Sequence, residues 1–293
     1  MRQLQRTRAA RQLNMSSAVL ALSVLADSAV EHYRGSFQNR AMYTPLGIAT
    51  LTLAASILGA LDARPRRHAA RDGIYAAAAL TGLVGLGFHA YNIGKRPGGL
   101  SWLNLFYAAP IGAPAALVLA GLLGRSAETA RHLGSERRGS SRATWHARMS
   151  SSSNPPLASG RVLAGISAVG LAGTAAEAAL MHFRGAFHNP AMIAPVSVPP
   201  VAATLLGAAA VTGHRNMSRW ARWWLKLTAL LGFAGVGFHI YGVSRNMGGW
   251  RNWSQNVLNG PPLPAPPSFT GLALSGLAAL DRMDEQTPRR GRR

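Results

Sequence analysis

The chain has 293 residues and a formal net charge of +21, yet only 14% of its residues are charged and 48% are hydrophobic. It contains no cysteine, which excludes disulfides, thiolate clusters, thiol catalysis and covalent CxxCH haem attachment. Its apolar residues fall in long blocks nearly free of charge, which excludes an ordinary soluble domain and predicts an all-α, polytopic membrane protein.

Residues 1–14 carry Arg2, Arg6, Arg8 and Arg11 and read as a basic cytoplasmic N-terminus. The apolar block that follows, 16–33, has the outline of a signal peptide, with Ala-Asp-Ser-Ala at 26–29. A matching block recurs in mid-chain at 162–183, where no signal acts, so 16–33 is read as the first span. Blocks at 43–61, 74–91 and 107–123 complete a first four-span unit over 15–124. Residues 125–160 are rich in Ser and Arg and read as a cytoplasmic linker. A second four-span unit over 161–281 holds blocks at 162–183, 193–212, 224–241 and 268–280, and a basic tail follows over 282–293. Most blocks are about 17–22 residues, enough to cross a hydrocarbon core as a helix; the last is shorter.

The two units restate one plan. At an offset of 150, residues 31–45 and 181–195 are identical at 8 of 15 places, among them HYRGSFQNRAM against HFRGAFHNPAM. GLVGLGFHAYNIGKRPGG at 82–99 matches GFAGVGFHIYGVSRNMGG at 232–249 at 8 of 18. After a two-residue slip, NLFYAAPIGAP at 104–114 echoes NVLNGPPLPAP at 256–266. The expected architecture is therefore eight transmembrane helices as two parallel four-helix repeats, related by an axis along the membrane normal. In that arrangement 24 of the 31 Lys and Arg fall on one side and seven on the other. Both termini are then cytoplasmic in a bacterial-type inner membrane, and the basic charge meets lipid headgroups rather than nucleic acid.

Four of the nine histidines stand at matched positions: His32 with His182, and His89 with His239. Spans one and three of each unit run outward and carry their histidine near the outer end. Each unit is thus expected to bring two imidazoles to one level, the minimum set for a haem iron or a metal. Gly82, Gly85 and His89 share one helical face, as do Gly232, Gly235 and His239. Such a strip offers a planar macrocycle a flat groove at Gly85 and Gly235, or simply lets helices approach closely. In the outer turn, the glycine after Arg34 and after Arg184 is expected to supply a positive φ.

Seven of the ten acids lie in cytoplasmic segments. Asp27 and Glu177 each precede a matched histidine by five residues, about 7.5 Å deeper along the helix. A carboxylate at that depth costs about 2.5–3.5 kcal/mol and calls for a partner. The candidate clusters are accordingly Asp27/His32/His89 and Glu177/His182/His239, with Arg34 and Arg184 at hand for acidic groups of a cofactor, quinone or lipid. Haem b or a transition metal is the expected cofactor, and electron transfer beside a redox partner subunit or quinone the expected role. A proton- or ion-coupled transporter using the two acids, and a non-catalytic membrane assembly or anchor protein, are the alternatives. No nucleotide, hydrolase or zinc-protease motif occurs in a suitable context.

Overall fold

The structure, a computed structural model, describes residues 2–64, 66–107, 110–139 and 156–286. It is helical throughout, with no strand among the described residues. In chain order the helices are α1 (Arg2–Arg34), α2 (Thr44–Leu61), α3 (Ala69–Gly94), a short α4 (Trp102–Tyr107) and α5 (Gly112–Gly139). They continue with α6 (Gly160–Arg184), α7 (Ala194–Thr212), α8 (Arg215–Arg245), a short α9 (Trp253–Asn259) and α10 (Pro267–Gln286). Punctuation in the sequence sets several ends. Pro45 and Pro195 sit in the first turns of α2 and α7, where a missing N–H is harmless. Gly213 ends α7 in the left-handed conformation at φ 69°.

Among the described residues six helices are long and apolar enough to cross a bilayer: Thr7–Arg34, Arg40–Leu61, Ala69–Gly94, Gly160–Arg184, Pro190–Thr212 and Arg215–Arg245. The chain thus carries the helices of a multi-pass membrane protein, with apolar flanks suited to lipid. Helices α5 and α10 differ from the other long helices. Their apolar stretches, 112–124 and 268–280, run for only about 20 Å each before charge intervenes. Both pack against helices of the two bundles, and α10 is buried along most of its length, from Ser268 to Met283. The last long helix of the first bundle extends into the stretch 125–160 expected as linker. Helix α5 continues to Gly139 and buries Glu128 and Arg131, while residues 140–155 lie outside the described residues.

Helices α1, α2, α3 and α5 pack as a ring, each against its two neighbours, so α1 and α3 face each other across a diagonal. Helices α6, α7, α8 and α10 form a second ring, with α6 and α8 on the diagonal. The rings join through α1 against α10 and α5 against α6. A core of Leu13, Leu20, Leu123, Leu163, Leu171, Leu206 and Leu272, padded by alanines, runs through this junction.

Packing is uneven along each bundle. In α3 the buried residues are Asp72, Tyr75, Ala78 and Gly82, and then none until Ile93. In α8 they are Ala221, Leu225, Thr228 and Gly232, and then none until Val243. Burial in α2 stops at Ala49 and in α7 at Pro199, short of the same end. Both bundles are tight at the end where α1 begins and α10 ends, and open at the end where the four matched histidines lie.

Candidate functional site

The doubled eleven-residue stretch is a device for orienting a histidine. Helix α1 ends at Arg34, and the Phe37 N–H returns to the His32 carbonyl at 3.0 Å. Asn39 Oδ1 accepts from the Ala41 N–H at 2.9 Å and so starts a short 3₁₀ turn, Arg40–Tyr43. That turn delivers the Met42 carbonyl to His32 Nδ1 at 2.7 Å. The Phe37 ring stands edge-on to the imidazole, 6.2 Å between centroids. After α6 the arrangement recurs: Asn189 caps Ala191 at 2.9 Å, Met192 O meets His182 Nδ1 at 2.8 Å, and Phe187 stands 6.2 Å from the ring.

The positive φ angles fall not on the glycines, as expected, but on Ser36 (57°) and Phe37 (45°), and on Ala186 (54°) and Phe187 (45°). Such residues carry about 1–2 kcal/mol each of steric cost in that region. Paired strain of this kind concentrates at functional sites. The glycines serve a close approach instead: a Cβ at Gly35 or Gly185 would lie 3.2 or 3.1 Å from the methyl of Met42 or Met192.

His89 and His239 project from α3 and α8. His89 Nδ1 meets the Pro110 carbonyl at 2.5 Å, and His239 Nδ1 meets the Pro262 carbonyl at 2.7 Å. A carbonyl only accepts, so in all four histidines Nδ1 carries a proton, and in the neutral ring Nε2 is then the nitrogen with the lone pair. Nε2 makes no hydrogen bond among the described residues in any of the four. His89 lies within electrostatic reach of His32, and His239 within reach of His182.

The acids are not assembled with the histidines. Among the described residues no group of three or more His, Asp or Glu converges on a point that could hold a metal ion. The sets Asp27/His32/His89 and Glu177/His182/His239 are therefore not present as three-ligand sites. Asp27 comes within electrostatic reach of Glu31 on its own helix and of Glu177 on α6. Glu177 Oε1 accepts the Gly112 N–H at 3.2 Å, at the first turn of α5. The repeat pattern groups each acid with the histidines of its own unit; in the structure Glu177 bonds to Gly112 of the other unit.

The glycine strips are occupied by neighbouring helices rather than open as grooves. A Cβ at Gly82 would lie 2.6 Å from the Pro114 carbonyl and the Val118 nitrogen, and one at Gly85 would lie 3.1 Å from Pro114. Gly232 and Gly235 accept Thr270 and Pro266 in the same way. Close helix approach accounts for both strips. Arg34 pairs with Glu31 at 2.8 Å, and the Arg184 guanidinium lies over the Tyr107 ring at 5.2 Å. Tyr91 and Tyr241 are exposed.

At the opposite end of the first bundle lies a polar cluster that the residue pattern alone does not announce. Glu128 is fully buried and accepts from Arg71 Nε and the His68 N–H, both at 2.8 Å. Arg131 donates to the carbonyls of Asp62 and Arg64, at 2.8 and 2.9 Å, capping the end of α2. Tyr75 donates to buried Asn14 at 2.7 Å. The repeat holds the signal, because the second unit places Ala221, Leu225 and Leu280 where the first has Arg71, Tyr75 and Glu128.

No family model, curated protein or solved structure matches the chain.

Proposed function

We propose that each half of the chain holds a b-type haem between two imidazoles, His32 with His89 and His182 with His239, and that the protein transfers electrons within a bacterial-type inner membrane. The reading includes eight crossings as two parallel four-helix repeats, with both termini cytoplasmic and the histidine ends facing outward. A redox partner subunit or a quinone would exchange the electrons.

One observation carries the proposal. All four matched histidines tie Nδ1 to a backbone carbonyl, and among the described residues none uses Nε2 in a hydrogen bond. That is how imidazole ligands are held, with the second nitrogen fixing tautomer and ring plane. The donor set also favours haem over a bare ion, because two imidazoles suffice for haem iron whereas a metal ion needs further ligands. Facing helices of a four-helix bundle are a usual place for such a site. The loosely packed histidine ends are consistent with a bulky group there. Iron in such a cofactor supplies one-electron redox chemistry. The chain's own part is to hold the imidazoles neutral and fixed, to keep the surroundings apolar, and to offer Arg34 and Arg184 to acidic groups. Gly85 and Gly235 act at one remove, by seating Pro114 and Pro266. A reduced-minus-oxidised spectrum and a pyridine haemochrome assay on purified protein test the proposal. Sharp low-spin haem b bands are expected, and a featureless spectrum from haem-replete cells would overturn it.

A second reading has one observation in its favour, that Asp27 of α1 lies within electrostatic reach of Glu177 of α6. Two carboxyl groups inside the spans suit a proton- or ion-coupled path. Proton uptake by proteoliposomes, lost in Asp27→Asn/Glu177→Gln protein, would favour it; equal uptake by both proteins would remove it.

A further inference from the structure

The stretch from Pro110 to Gly112, at the entry to α5, touches both halves at once. Its Pro110 carbonyl holds His89 Nδ1 in the first half. Two residues later its Gly112 N–H is held by Glu177 of α6, in the second half. Tyr107, at the end of α4, lies beneath Arg184 of the same α6. The Gly112 contact is close: a Cβ there would overlap the Glu177 carboxylate, which fills the space a side chain would need. The other half is tied in the same sense. The Pro262 carbonyl holds His239, and two residues later the Pro264 carbonyl accepts from Ser23 of α1 in the first half.

We infer that Glu177, a residue of the second half by sequence, is a positioning residue for the imidazole of His89 in the first. The Pro110 carbonyl lies only two residues from Gly112, and the planar peptides and fixed bond lengths between them limit how far one moves without the other. A carboxyl oxygen that accepts a backbone N–H at a helix N-terminus, here at 3.2 Å, is a directional tether. The reciprocal tether is the Ser23 hydroxyl, which acts on His239 through Pro264. Each half thus orients one imidazole of the other, and the two candidate sites are built as a coupled pair. The value of this for ligand binding rests on the haem reading above; the positioning itself does not.

The test reads the imidazole directly. Protein labelled with ¹⁵N-histidine is reconstituted in lipid and reduced with dithionite, which keeps any low-spin haem diamagnetic. The hydrogen-bonded Nδ1–H resonances of His89 and His239 are assigned by comparison with His89→Gln and His239→Gln. Glu177→Ala should shift or abolish the His89 resonance and leave that of His239 in place. Ser23→Ala should do the reverse. Glu177→Gln should restore the His89 signal, because its amide oxygen still accepts from Gly112. Gly112→Ala, which expels the carboxylate from the other side, should reproduce the Glu177→Ala effect if that variant is poorly produced. A His89 resonance indifferent to Glu177→Ala and Gly112→Ala, or a change confined to His182 and His239, would overturn the inference. Absence of haem from wild-type protein would end the proposed function and leave this measurement intact.

Discussion

His32 Nδ1 lies 2.7 Å from the Met42 carbonyl, and 150 residues later His182 Nδ1 lies 2.8 Å from the Met192 carbonyl. Ten residues separate donor from acceptor each time, and those residues include two consecutive left-handed positions that are not glycine. A chain keeps such a conformation only when its surroundings over-determine it. The Asn cap, the Phe ring on the imidazole and the histidine bond do so together.

The strain is measurable. At Ala186, with φ 54°, a β-branched side chain meets the backbone more severely than a methyl group does. Ala186→Val should lower stability in detergent by about 1–2 kcal/mol, while Ala186→Gly should be neutral or slightly stabilising. Thermal unfolding of the two variants side by side checks the sign.

Two glycines of α3 should respond oppositely to one methyl group. A Cβ added at Gly73 would meet nothing within 4 Å, whereas Gly82 lies against the backbone of α5. Gly73→Ala should stabilise the helix by up to about 1 kcal/mol. Gly82→Ala should destabilise by about 1–3 kcal/mol, because α3 must move away from Pro114 and Val118. Equal effects in a denaturation series would contradict the close approach.

Glu128 is the anion of a buried cluster, with the Arg71 side chain 11% exposed and the Arg131 side chain 1% exposed. Removing it takes the buried carboxylate from Arg71 and Arg131 and leaves Asp62 as the remaining anion beside the two guanidinium groups. Glu128→Ala should cost about 3–5 kcal/mol. Leu280→Ala, at the matched position of the second half, creates a cavity instead and should cost about 2–5 kcal/mol. Salt distinguishes the two, since added chloride should partly rescue only the first.

Acid should weaken the same end of the molecule. Burial opposes the charge on Asp62, but the Arg64 N–H at 2.9 Å and the Arg71 guanidinium at 3.1 Å outweigh it and hold its carboxyl below the ordinary value of 3.8. A depressed folded value means that Asp62 contributes its full stabilisation above the unfolded value and loses it as pH falls through the folded one. Unfolding midpoints below about pH 4 should therefore drop more steeply in wild-type protein than in Asp62→Asn.

Much of this was legible in the residues. Block length and the 150-residue offset were enough to give helices, their order, and the four histidines as matched pairs near helix ends. Carbonyl partners were not legible, because Met42, Pro110, Met192 and Pro262 act through backbone atoms that their side chains do not advertise. Nor was the cross-half pairing of Glu177 with Gly112, since a repeat shows which residues correspond and not which halves touch. The glycine strip at Gly82 and Gly85 fits an open groove or a close helix crossing equally well until the neighbour at Pro114 is known. Helices α5 and α10 lack the apolar length of the other long helices, and both pack against helices of the two bundles.

The most direct measurement is the haem content of purified protein in four forms: wild type, His89→Ala, His239→Ala and the double variant. Two haems per chain are expected in the wild type, one in each single variant and none in the double, with all four proteins inserted in the membrane. Unchanged content in the single variants, or no haem in the wild type, would contradict the account.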